Sequence, residues 1–182
     1  MKALFALSLL FAFTSAKSFA GEPLPRPIIE MQNTKAVQGT CQKEWMELTE
    51  SYGVTVEKLE PAQTLYIVPC AMWADNVAYS VFVTIKESSH PDGFLTKQMS
   101  FVNFHPYEGI IARDVIHNVK WESATKTLKA FYMVNGNTNC GSRSVYKWSG
   151  GYQDMHLVTL LKQSKCDDPT APWLPVFTSA TN

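Results

Sequence analysis

The sequence predicts a mainly β protein whose antiparallel hairpins form a sandwich or barrel-like sheet, with one short N-terminal helix. Three observations carry this. From Val54 onward, short runs rich in β-branched and aromatic residues are separated by turn-forming residues. A helical period occurs in one stretch only, near Cys41. Strands do not alternate with long helices, which argues against a doubly wound sheet.

The elements follow in chain order. "MKALFALSLLFAFTSAKSFA" has a basic start at Lys2, an apolar run from Ala3 to Phe13, and small residues at Ser18 and Ala20. Residues 1–20 are therefore expected to be a signal peptide cleaved after Ala20. Thr14, Ser15, Lys17 and Ser18 interrupt the run before it reaches the ~20 apolar residues of a membrane span. With no cysteine after the run to carry a lipid, the mature chain is expected to have no membrane anchor. Residues 21–40 hold Pro23, Pro25 and Pro27 without a clear period, and are expected to form an extended arm, either laid over the domain through Ile28 and Ile29 or mobile.

Residues 41–182 are expected to form a single disulfide-stapled β-rich domain. Its helix lies in "TCQKEWMELTESYG", where Cys41, Trp45, Leu48 and Tyr52 share a face, Thr40 caps the start and Gly53 the end. Strands are then predicted over 54–59, 64–70, 77–85, 94–104, 112–121, 126–134, 142–148 and 152–161. Pro91, Asp92 and Gly93 supply one tight turn, Gly150 and Gly151 another. The end, "CDDPTAPWLPVF", reads as an extended tail anchored by Trp173 and Phe177.

Charge narrows the partners. The chain has 16 basic and 16 acidic residues, and loss of Lys2 and Lys17 with the leader leaves a net charge of −2 without like-charge runs. Nucleic acid is therefore not an expected partner. The four cysteines, Cys41, Cys70, Cys140 and Cys166, are an even number in an exported chain, so two disulfides are expected. Of the three possible pairings, the sequence-local one, Cys41 with Cys70 and Cys140 with Cys166, is preferred. A hairpin centred between Gly150 and Gly151 sets Cys140 near Leu161, so the second bridge must join segments beyond the strand ends.

Familiar chemistries find little support. The histidines, His90, His105, His117 and His156, form no H-E-x-x-H. Asp114 and His117 are three apart on one predicted strand and so point to opposite faces. Asn135, Asn137 and Asn139 alternate like calcium ligands, but no carboxylate accompanies them and Tyr146 stands where the closing Glu belongs. No metal or other cofactor is expected. G-x-S-x-G is absent, and export should oxidise every cysteine. An enzyme would need polar groups from separate strands, such as His105, His117, Asp114 or Arg143, to converge. Trp73 stands out among the aromatics because "CAMWADN" sets it between strands beside Cys70, Asp75 and Asn76, as a small binding site requires.

"VPCAMWADNVAY", "NVKWESATKTLKAF", "NCGSRSVYKWSGGYQDMHL" and "KCDDPTAPWLPV" occur in that order. In these the chain resembles the exported proteobacterial proteins grouped as domain of unknown function 1176. That family shows V-P-C followed by A-Y-N, D-C-G followed by W-x-W-x-G, and a late cysteine before W-P. The matching positions are Pro69, Cys70, Ala74, Asn76, Cys140, Gly141, Trp148, Gly150, Cys166 and Trp173. Asp75 replaces the family's tyrosine, Asn139 its aspartate and Tyr146 its first tryptophan, while Asn135 and Gly136 stand where it has G-R-G. The resemblance implies export and fold and brings no activity with it.

The expected function is a non-catalytic binding or interaction module of the bacterial envelope, periplasmic or secreted. Its partner would be a protein or small ligand held by Trp73, Asp75, Asn76, Tyr79, Asn139 and Arg143. The alternatives are an envelope hydrolase, or a secreted inhibitor of another enzyme using "NGNTNCGS" or "SSHPDGF".

Overall fold

The computed structural model describes residues 23–105, 108–151 and 153–180, so the expected signal peptide lies outside the described residues. Two antiparallel sheets face each other, and two helices cover the outer side of the first. The first sheet is a meander of β1 (Thr55–Glu60), β2 (Gln63–Trp73), β3 (Asn76–Lys86) and β4 (Phe94–Gln98). A separate hairpin follows, β5 (Phe101–His105) with β6 (Gly109–Arg113). The two-residue β7 (Ile116–His117) returns to β3, beside the stretch β4 leaves uncovered. The second sheet is the meander β8 (Lys120–Glu122), β9 (Thr127–Val134), β10 (Asn137–Ser149), β11 (Asp154–Gln163) and β12 (Leu174–Thr178).

Strand alternation builds the core. Leu65, Ile67, Val81 and Val83 of the first sheet meet Leu128, Ala130, Tyr146 and Trp148 of the second, with Met99, Phe101 and Ile116 completing the layer. The alternate residues Val68 and Phe82 face outward onto Ile28 and Trp45 of the helices. β2 and β3 are therefore apolar on both faces and read as nearly continuous apolar runs.

The arm expected to be extended is instead helical: Arg26–Val37 form α1. Pro25 and Pro27 sit at its start, where a missing N–H costs no helical bond. Its buried face is Ile28, Gln32 and Lys35, spaced four and three apart, and two of those three residues are polar. Hydrophobic periodicity could not reveal it. Gln32 donates to Pro69 O and accepts from Ser80 Oγ. Lys35 Nζ is bound by Ser80 Oγ at 3.1 Å, Asp114 O at 3.0 Å and the Asp114 carboxylate at 2.8 Å. Burial pulls the Lys35 pKa down against the pull of Asp114. For Asp114, burial is outweighed by Lys35 and Gln98, which hold its carboxyl below the usual range.

The second helix, α2, is shorter than expected, Trp45–Tyr52, and Thr40 lies outside it. Gly53 follows with φ 72°. Cys41 precedes it and is bonded to Cys70, which occupies a β-bulge between Pro69 and Ala71. The second disulfide joins Cys140 to Cys166. Its difficulty of register is resolved in two ways. The hairpin is centred later than the glycines suggest, with Ser149 opposite Asp154, and a bulge at Val145 and Tyr146 adds another step. Gly141 thereby faces Gln163, and Cys140 comes within reach of Cys166.

Two predicted strands break where the chain changes sheets. Residues 94–104 divide at Met99 and Ser100, because Met99 turns into the core between the sheets. Residues 112–121 divide twice, at Asp114 and Val115 and again around Asn118, whose φ is 43°. Asp114 and His117 therefore do not share a strand and, instead of facing opposite ways, both border one surface depression. Asn118 also staples the sheets: its Oδ1 accepts from Val77 N, and its Nδ2 donates to Asn76 Oδ1 and Phe131 O. The tail expected to be simply extended includes β12, paired with β11.

Candidate functional site

Three chain segments meet at one end of the sandwich. The β2–β3 tip, with Ala74 at φ 49°, lies against the β9–β10 tip, where Asn135 and Gly136 have φ 51° and 72°. A Cβ on Gly136 would fall 2.1 Å from Asp75 Oδ2, so glycine permits this approach. The third segment is the β5–β6 hairpin. Its alternation directs Asn103, His105, Ile111 and Arg113 toward the tips. The Tyr146 hydroxyl donates to Val102 O and ties this hairpin to β10.

Between them is a cavity of about 360 Å³ with aromatic walls. Trp73 and His117 have ring centroids 6.2 Å apart, His117 and Tyr132 5.1 Å, and His105 and Tyr132 5.8 Å. Trp73 is 46% exposed, a large apolar ring presented to solvent. A second depression, about 580 Å³, adjoins it and shares Trp73, Arg113 and His117.

Burial, reinforced by the positive Arg113 and by His105, pushes the His117 pKa down to about 4. The imidazole is therefore neutral at neutral pH, with one donor and one acceptor nitrogen. Asn103 Nδ2 is shielded from solvent and has no acceptor among the described residues. Arg113 stands at the rim, paired with Glu108 at 2.8 Å. Among the described residues, no group of three His, Cys, Asp or Glu side chains is placed to hold a metal ion.

The expected site residues divide. Trp73 and Asn76 line the cavity, and Asp75 is exposed at its lip against Gly136. The Asn76 amide is engaged structurally: it donates to Met133 O and accepts from Met133 N and Asn118 Nδ2. Tyr79 packs against the core, where burial first and Tyr52 second raise its pKa. Asn139 is exposed, its N–H bonded to Asn137 Oδ1. Arg143 lies on the outer face of the second sheet, 4.0 Å from the Trp173 ring centroid and 5.2 Å from that of Phe131.

A profile of the family described as a protein of unknown function, DUF1176, matches residues 15–180. The chain belongs to the DUF1176 family. No curated protein and no solved structure matches it. In this DUF1176 chain most of the positions on which the sequence resemblance rests serve as scaffold. Cys70, Cys140 and Cys166 are bridged, and Trp148 is in the core. Gly141, at φ 133°, has no room for a Cβ beside Tyr132 O.

Sequence reasoning missed Asn103, Arg113 and Tyr132. Their only signal was polar residues at inward positions on strands that continue the core face of Phe101. His105 and His117, named as possible members of a convergent cleft, do line one cavity, while Arg143 does not. Asp114 borders the larger depression with its carboxylate held by Lys35 and Gln98.

Proposed function

We propose that this protein is an exported, non-catalytic binding module that holds a small ring-shaped ligand in the cleft between Trp73 and Tyr132. The observation carrying this reading is the aromatic-walled cavity with an inward, unsatisfied amide donor at Asn103. Aromatic faces and a few convergent polar groups are what small-ligand sites are made of. The two disulfides support residence in an oxidising compartment.

Binding is favoured over hydrolysis by the arrangement of the acid–base groups. Ser100, His117 and Asp114 all border the larger depression. Yet Asp114 serves Lys35, and among the described residues no hydrogen bond links Ser100 to His117 or His117 to Asp114. A histidine with a pKa near 4 is also a weak base at neutral pH.

The test is a collection of one- and two-ring compounds screened by 1H–15N NMR. Hits should shift the Trp73 indole and the amides of 103–105 and 132–136, and Trp73→Ala should weaken them about tenfold or more. Shifts clustered elsewhere, such as around Arg143 and Trp173, or no shifts at all, would overturn the reading.

A further inference from the structure

We propose, building on the cleft reading above, that the ligand carries a carboxylate on its ring, which Arg113 receives in place of Glu108. Trp and Tyr walls alone would equally suit a cationic ligand. Charge argues against that: among the described residues Arg113 is the one formally charged residue lining the smaller cavity, and the Asp75 carboxylate stands outside it, exposed at the lip. Glu108 already occupies the place of such a carboxylate. Its Oε2 lies 2.8 Å from Arg113 Nη2, and its Oε1 lies 3.8 Å from His105 Nδ1. Both partners of the pair are nearly half exposed, so exchanging one carboxylate for another disturbs no buried ion pair. Deeper in, the Asn103 amide offers a donor to a carbonyl or to the second carboxylate oxygen. A volume of about 360 Å³ lies at the small end of ligand sites, suiting one or two rings rather than a polymer.

The experiment titrates the full mature chain with three compounds of one shape: 2-naphthoate, 2-naphthamide and 2-naphthylmethylammonium. Wild type, Arg113→Gln and Glu108→Gln are compared by NMR at neutral pH. Naphthoate should bind about tenfold tighter than naphthamide, the size of one charge-assisted hydrogen bond. The ammonium should bind weakest. Arg113→Gln should erase the preference for the acid while leaving amide binding in place. Glu108→Gln should tighten naphthoate several-fold and leave naphthamide unchanged. Equal binding of acid and amide to wild type, or a Glu108→Gln effect that is absent or shared by both, would overturn the carboxylate while leaving the cleft reading intact. Failure of naphthoate alone, with uncharged rings still binding beside Trp73, would do the same. Failure of every ring compound would remove both.

Discussion

Acidification should destabilise this protein through His117, and the effect can be isolated by one substitution. The folded state holds the His117 pKa near 4, against 6.5 for the free side chain, because the ring is buried and faces Arg113 and His105. Trp73 and Tyr132, the other rings packed against it, bring no opposing charge. Between these two values the unfolded chain binds a proton that the folded chain refuses. Stability therefore falls as pH drops below about 7, and the loss is complete below about 4. At about 1.4 kcal/mol per pH unit, the full difference is roughly 3 kcal/mol, a ceiling for a half-buried ring. Roughly 2.5 kcal/mol of that should be lost between about pH 8 and pH 4.5. Urea unfolding followed by tryptophan fluorescence, for wild type and His117→Gln across this range, measures it. The variant keeps a polar side chain that cannot titrate. Carboxylates such as Asp114 contribute equally to both curves and cancel. The stability gap between the two proteins should shrink, or change sign, by about the stated amount. A gap that stays constant across the range would refute the argument.

Further substitutions probe the scaffold. Asn118→Gly keeps a residue tolerant of φ 43° but strips the bonds to Val77, Asn76 and Phe131; urea melts should show a loss of about 2–4 kcal/mol. Gly141→Ala places a Cβ 1.8 Å from Tyr132 O at a φ of 133°, so circular dichroism should find it at least about 3 kcal/mol less stable, or unfolded. Asp114→Asn leaves the Lys35 ammonium, 6% exposed, without its counter-charge. Since Asp114 is itself 43% exposed, the melt should register about 2 kcal/mol, below the 3–5 of a fully buried pair. That contribution should be present at neutral pH in wild type and fade in acid as Asp114 protonates, because its folded pKa is depressed.

The β architecture was legible because period-two burial and turn residues are local signals. Pro91–Gly93 and Gly150–Gly151 mark turns wherever the sheets go. What escaped was written in tertiary terms. α1 buries Gln32 and Lys35, which look like surface residues until Ser80, Pro69 and Asp114 are seen to receive them. Nothing local announces that Met99 and Asn118 are corners. The former resembles any strand residue, and the latter is set at φ 43° by partners on both sheets. At the site, Trp73 could be singled out by its place between strands beside a cysteine. Tyr132 could not, since its half-buried ring resembles any other in β9 until His105 and His117 are brought beside it.

The fold and the ligand choice rest on different residues. The positions through which the sequence resembles the family pattern close disulfides, fill the core, permit the Gly141 approach and, through Asn76, join the sheets. Asn103, Arg113, His117 and Tyr132 do none of this, and they carry the polarity and the rings of the cleft. Changes at the first set act on stability by kilocalories and on binding only through unfolding. Changes at Asn103, Arg113 and Tyr132 act on the cleft while the core between the sheets stays packed, and His117 adds to its place in the cleft the pH dependence of stability worked out above. Asn76 belongs to both, because its amide joins β3 to β9 while its side chain borders the cavity. Replacing Asn76 would therefore damage fold and site together and could not separate them. Trp73, 46% exposed and outside the core clusters, separates them cleanly. Truncating it removes the cleft's most exposed ring at little cost to folding, and for that reason it is the decisive position at which to test for a ligand.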